Sequence, residues 1–312
     1  MTIKTSHKVS LFVLLVVTAV VLCTLPFILS SFDDIYVFTK NKYPSSEERG
    51  FIQELKKTGY KVYVNNEKTD KSKIAIWFKS VNDIREIMDK TVFEYNFVYA
   101  EEYYPYDWEN LKKHPIVLTP HQKLYEHYMR LNIKSATFTL GGNLSEFHPL
   151  TINKKYDIVY YEQREANTLL SEYLKTFDDV YFLGRFWKNG VESDASSEDI
   201  AKNDNKILSQ AKIVIIDNYE TNNIIPREII NATASRTLVL TPKNNAVYEI
   251  YGDSLVYYNN FNDIKPLVDY YTKMTDTATQ KVNKAWQITS SNLSSSNSVK
   301  RFNELYEWIK NN

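Results

Sequence analysis

The residues best placed to do chemistry lie between Ala211 and Tyr258. There an apolar strand, AKIVII (211–216), leads through a polar loop to Pro226 and Arg227. Proline suits the first turn of a helix, because its missing N–H would be unpaired there anyway. Asn222 and Asn223, just ahead of it, can cap the exposed amides. A helix opened in this way presents free N–H groups and a positive dipole end, which together suit a diphosphate. Arg227 adds a planar donor able to grip phosphate oxygens in pairs. The plainer alternative is a solvated surface arginine. Arg164, just past a strand, and Arg185 in GRFW (184–187) invite the same two readings. His121, in TPHQ, is a candidate general base, with a simple helix cap as its alternative. Glu101 and Glu102 could contact a substrate or a metal, but no Asp-x-Asp pair accompanies them, which disfavours a metal site there.

These residues need a scaffold, and the hydrophobic pattern supplies one. Strands are expected at DIYVF (34–38), YKVYV (60–64), KIAIWF (73–78), Phe93–Ala100, PIVLTP (115–120) and SATFTL (135–140). Helices are expected over Ser46–Thr58, Val81–Lys90 and His121–Leu131. A second alternation follows Gly141-Gly142. Its strands are YDIVYY (156–161), DVYFLG (179–184), AKIVII, TLVLTP (237–242) and SLVYY (254–258). Its helices are Ala166–Thr176, Ile200–Gln210, Ile225–Ser235, Ala246–Tyr251 and Asp263–Lys273. Strands alternating with helices make parallel sheets wrapped by helices. The fold class expected is therefore α/β with two Rossmann-like lobes, residues 33–150 and 151–312. Ligands bind such lobes at the carboxyl edges of the strands, here in the cleft between them. The tail is expected as a helix over Thr277–Ile288, a flexible serine-rich break at SSNLSSSNS (290–298) and an amphipathic helix over Val299–Lys310.

The order of elements around Pro226 resembles the donor-binding lobe of GT-B glycosyltransferases, in particular the family-1-like group that includes spore-maturation-type proteins. That group carries a Pro-x-Arg-x-x-Glu-Ala-x-Ala-x-Gly segment running into a strand that ends in Thr. This sequence has Pro226-Arg227-Glu228-Ile229-Ile230-Asn231-Ala232-Thr233-Ala234-Ser235-Arg236, followed by TLVLT ending at Thr241. The resemblance extends to the junction GGNLSEFHP (141–149) and to Ser298–Ile309, similar to the closing helix that returns to the first lobe. It implies a nucleotide-sugar donor as substrate, transfer without a metal or other cofactor, and a glycan, lipid or protein acceptor. Arg227, Arg164 and Arg185 would then face the diphosphate, and Thr241 would line the pocket wall. The family's ribose-binding glutamate is replaced by Asn231, and its glycine, where backbone and ligand come close, by Arg236. Glu228 lies three residues before Asn231 on the same helical face, so either could meet the ribose. EEYYPYDW and the tyrosines could stack on sugar rings or simply fill cores and turns. The departures keep open a non-catalytic two-lobe binding protein, and a fucosyltransferase-like relative of the same fold ranks below both.

Composition bounds the remainder. The 312 residues carry 38 basic and 38 acidic side chains, interspersed, which argues against nucleic acid as a partner. The only cysteine, Cys23, excludes a zinc site built on cysteines and a catalytic thiol in the body. Ser10–Ser30 is an uncharged run of 21 residues, about 30 Å as a helix and enough to cross a bilayer. Residues 1–32 are therefore expected to form a tail and a transmembrane anchor, with a cleaved signal peptide as the rival. Lys4 and Lys8 precede the run while Asp33 and Asp34 follow it, which puts the N-terminus in the cytoplasm and the body on the other side.

Overall fold

A computed structural model of the chain describes residues 33–39, 44–65, 74–78, 93–101, 115–162, 168–184, 197–217 and 224–312. The proposed anchor, the expected helix over Val81–Lys90, and Glu102, Arg164, Arg185, Asn222 and Asn223 lie outside these residues. Among the described residues, no helix is long and apolar enough to cross a membrane.

Two parallel sheets form, one in each half of the chain. The first contains β1 (Asp34–Phe38), β2 (Lys61–Val64), β3 (Ile74–Trp77), β4 (Tyr95–Tyr99), β5 (Pro115–Thr119) and β6 (Ser135–Thr137), in spatial order β2-β1-β3-β4-β5-β6. The second contains β7 (Tyr156–Tyr161), β8 (Val180–Leu183), β9 (Ala211–Ile215), β10 (Leu238–Pro242) and β11 (Val256–Tyr258), in order β11-β10-β9-β7-β8. Every pairing in the two sheets is parallel. Parallel strands are covered on both faces, so central strands such as IAIW and PIVLT are buried throughout rather than alternating. In both sheets the order reverses beside the first strand, between β1 and β3 and between β7 and β9. Each lobe thus has a switch-point crevice at its carboxyl edge.

Helices α1 (Ser46–Lys57), α2 (Gln122–Arg130), α3 (Thr168–Leu174), α4 (Ser197–Gln210), α5 (Arg227–Ala234) and α6 (Asn245–Tyr251) connect strands, and α7 (Ile264–Lys273) follows β11. Two longer ones, α8 (Thr275–Asn292) and α9 (Ser295–Asn311), close the chain. Although it ends the sequence, α9 packs on the first lobe. Val299, Phe302 and Tyr306 are buried in that lobe's core, and the Phe302 ring meets Phe51 of α1 edge-on at 5.9 Å. Burying each such side chain stabilises by about 1.5–3 kcal/mol, which holds the crossover against its chain-ordering cost.

The serine-rich stretch is not a flexible break. Helix α8 continues to Asn292, and only Leu293 and Ser294 separate it from α9. Ser294 caps α9 by accepting from the Asn297 amide, and Ser294, Ser295 and Ser298 are all buried. Their small polar side chains dock on Gly141-Gly142. The Gly141 amide donates to Ser298 Oγ at 2.8 Å, Gly142 N donates to Leu293 O at 2.7 Å, and the Ser295 amide donates to Gly142 O at 3.0 Å. A Cβ on Gly141 would lie 2.3 Å from the Ser294 backbone, and one on Gly50 of α1 would lie 2.3 Å from Ser295 Oγ. Serine composition alone reads as solvated linker. Here the serines are small, hydrogen-bonded spacers where three backbones converge.

Candidate functional site: the carboxyl edges of the two sheets

Helix α5 follows β9 and therefore opens at the carboxyl edge of the second sheet. Pro226 is its N-cap rather than its first helical residue, and its carbonyl accepts from both Ile229 N and Ile230 N. Arg227 and Glu228 head the helix. Glu228 through Ala234 are buried, so this short helix is wedged between the sheet and its neighbours with Arg227 at its exposed tip.

Arg227 reaches across to the first lobe. Its Nη2 donates to Glu101 Oε1 at 2.6 Å, and its Nη1 lies 3.8 Å from Glu47 Oε2. Glu101 follows β4 and Glu47 sits in the first turn of α1, so both stand at the carboxyl edge of the first sheet. This bond joins the carboxyl edges of the two sheets. Burial works against the guanidinium charge, but the carboxylates of Glu47 and Glu101 outweigh it and hold Arg227 more firmly protonated than usual. Glu48 completes an acidic trio on the first lobe. Burial raises its carboxyl above the usual range, against the Ser45 amide that donates to it in a capping box. Tyr99, fully buried beneath Glu101, is raised by that burial and then by the Glu101 charge.

Asn231, one turn along α5, is buried and points into the second lobe. Its Nδ2 donates to the Tyr161 hydroxyl at 3.4 Å, and that hydroxyl donates to Asp204 Oδ2 at 3.2 Å. Nearby, Ser235 Oγ donates to Asn205 Oδ1, which also accepts the His148 amide from the interlobe junction. Glu228 is also buried, at the mouth of α5. Thr241, at the carboxyl end of β10, is fully buried, and its Oγ1 has no hydrogen-bond partner among the described residues. His121 occupies the N-cap position of α2, but its side chain makes no capping bond. It is buried beyond β5, on the same sheet edge as Glu101. The described residues contain no group of acids, histidines or cysteines able to hold a metal.

Arg236 corrects one expectation. It lies at the far end of α5, with φ of +55°, just past the Ser235 C-cap. The Thr237 amide donates to Ala232 O and the Arg236 amide to Thr233 O, the paired bonds of a Schellman stop. A glycine at this position would serve to end the helix in a left-handed conformation, at the end of α5 opposite Arg227. Arg236 covers the strained position by laying its guanidinium 4.2 Å over the Trp286 ring of α8.

Sequence reasoning missed Glu47, because first-turn acids are ordinary helix-dipole partners and nothing local marks one as an interlobe contact. It also missed the Arg49–Glu146 pair, 2.6 Å apart and largely buried, which ties α1 to the junction after Gly142.

No family model matches the sequence, and no curated protein matches it. Solved structures do. A β-glucosyltransferase that modifies DNA, solved with and without uridine diphosphoglucose, superposes with TM-score 0.63 and 14% identity, covering 87% of this chain and 98% of that one. Sucrose-phosphate synthase from Thermosynechococcus elongatus gives 0.61 at 10% identity, over 89% and 99% of the two chains. HepE from Anabaena, in complex with UDP-glucose, gives 0.60 at 9% identity, over 88% and 99%. Two parallel sheets facing each other at their carboxyl edges, with a terminal helix returning to the first lobe, make this chain's fold that of the GT-B glycosyltransferases.

Proposed function

We propose that the protein is a glycosyltransferase that takes a sugar from a nucleotide-sugar donor held in the interlobe cleft. The observation that carries this is Arg227. It projects from the first turn of α5, at the carboxyl edge of one sheet, toward the carboxyl edge of the other. The donor diphosphate would lie against the α5 amino terminus, with Arg227 and, from outside the described residues, Arg164 and Arg185 as counter-charges. Amides and guanidinium groups placed there offset the charge that develops on the leaving diphosphate without a metal. Glu228, in the first turn of α5, is favoured for the ribose over Asn231, which lies one turn deeper and donates to Tyr161. Thr241 would line the wall, and His121 would serve as base toward a glycan, lipid or protein acceptor. Two of the similar structures named above were solved with uridine diphosphoglucose, which supports this reading at the level of fold.

We place the body outside the cytoplasm on an anchor formed by residues 10–30, a placement that C-terminal reporter fusions would test. The donor site is tested by titrating UDP-glucose and other common sugar nucleotides into the full-length chain. Wild type is expected to bind at least one, and Arg227→Ala to weaken that binding ten-fold or more. Binding of none by the wild type would sink the proposal. A binding protein without transferase activity is the second reading, favoured by the amide at position 231 where a carboxylate is expected. Donor binding with no transfer and no donor hydrolysis would select it.

A further inference from the structure

The same arginine that suits a diphosphate is already held by carboxylates of the opposite lobe. A guanidinium carries five N–H donors, and its Nη edge, bonded to Glu101 at 2.6 Å and lying 3.8 Å from Glu47, is the edge a diphosphate would have to share with or take from those carboxylates. A diphosphate seated on α5 would also confront Glu47, Glu48 and Glu101, three carboxyl groups at the facing edge. Like charges brought together there repel, though solvent at the half-exposed Glu101 moderates the effect. The carboxylates and a diphosphate thus compete for the same Nη edge and the same positive charge of Arg227.

We infer that Glu101, helped by Glu47, is a built-in competitor for the donor diphosphate. Arg227 exchanges one anion for the other, and donor binding is thereby coupled to the spacing of the lobes. The inference rests on the donor-site reading above. With Arg227 on Glu101, the ion pair draws the carboxyl edges together. With Arg227 on the diphosphate, that tie is released and the acidic edge is repelled. Glu101 is therefore a positioning residue that acts through Arg227. Its charge is half-exposed, so its pull is modest, whereas Glu47 is almost fully buried and reinforces it.

The test uses the full-length chain, with UDP, GDP and inorganic pyrophosphate as probes. Titration calorimetry gives affinity and small-angle scattering gives lobe spacing. Glu101→Gln keeps the shape and removes the charge. It should tighten binding of the best probe about five-fold and enlarge the radius of gyration of the unliganded chain. Glu47→Gln should act in the same direction, and combining it with Glu101→Gln guards against a local folding effect of either alone. Arg227→Lys, which keeps the charge but loses the fork, should bind the probe more weakly and shrink the effect of Glu101→Gln. Unchanged or weaker binding by Glu101→Gln, with wild type binding normally, would overturn the exchange and leave Arg227 a static strut. Absence of binding by wild type and every variant would overturn the donor-site reading as well.

Discussion

Asn231 and Arg236 mark the two ends of α5, and their neighbours give them different meanings. Asn231 belongs to a buried chain of hydrogen bonds through Tyr161 to Asp204. Asn231→Ala should therefore lower stability by about 1–2 kcal/mol, by leaving a buried hydroxyl less satisfied, and should change nucleotide affinity less than two-fold. Glu228→Gln should weaken nucleotide affinity several-fold. Urea unfolding and nucleotide titration on both variants would decide between them. Loss of binding in Asn231→Ala with an unchanged urea midpoint would return Asn231 to the site. At position 236, glycine would relieve a left-handed backbone that costs an ordinary residue about 1–2 kcal/mol. It would also forfeit a stacking contact with Trp286 worth about 0.5–1 kcal/mol and add freedom to the unfolded chain. These nearly cancel, so Arg236→Gly should shift stability by less than about 1 kcal/mol. Arg236→Val, β-branched and without the stacking group, should cost about 2 kcal/mol or more.

At the scale of elements, the junction among α1, Gly141-Gly142 and the α8–α9 corner is where small residues matter most. Gly141→Ala has no room, because the added carbon would meet Ser294 backbone at 2.3 Å. It should destabilise by about 1–3 kcal/mol or more, since backbone cannot yield as a flexible side chain can. Ser298→Ala removes the acceptor of the Gly141 amide and the donor to Thr139 O, and should cost about 1–3 kcal/mol. Thermal melts of both would show whether the corner ties α9 to the first lobe as tightly as its packing implies. The strands and most helices here were legible from their apolar runs and periodicity. DIYVF, PIVLT and LVLTP are continuous buried strands of the kind only parallel sheets need. The corner was not legible, because SSNLSSSNS has the composition of a linker. Only the distant glycines that receive those serines give the stretch its structure.

For the whole molecule, the two-lobe architecture was legible as two successive strand–helix alternations, and so was the return of the last helix. Which side chains would meet across the cleft was not. Arg227 and Glu101 are separated by 126 positions, and no local pattern links them. The buried titratable groups give the fold a characteristic response to alkali. Lys154, whose ammonium donates to Ser209 O and Ala211 O, is pushed down by burial to about 8. Its folded value lies below the ordinary lysine value, so the native state is disfavoured below pH 8 and gains stability as pH rises from about 8 toward 10.5. Tyr60 and Tyr251 are pushed up by burial to about 12, so the stability they lend is complete below pH 10 and is lost as pH climbs through about 12. Urea midpoints measured from pH 7 to 11.5 should rise modestly to about pH 10 and then fall. Lys154→Met should flatten the rising limb and leave the fall.

The central claim is that a donor diphosphate rests on the amino terminus of α5. Hydrogen exchange of the full-length chain, with and without a bound sugar nucleotide, tests it most directly. A diphosphate seated there should give new protection centred on the amides of Arg227 and Glu228 and on the carboxyl end of β10 around Thr241. Protection confined to the first lobe, or spread without change at α5, would contradict it.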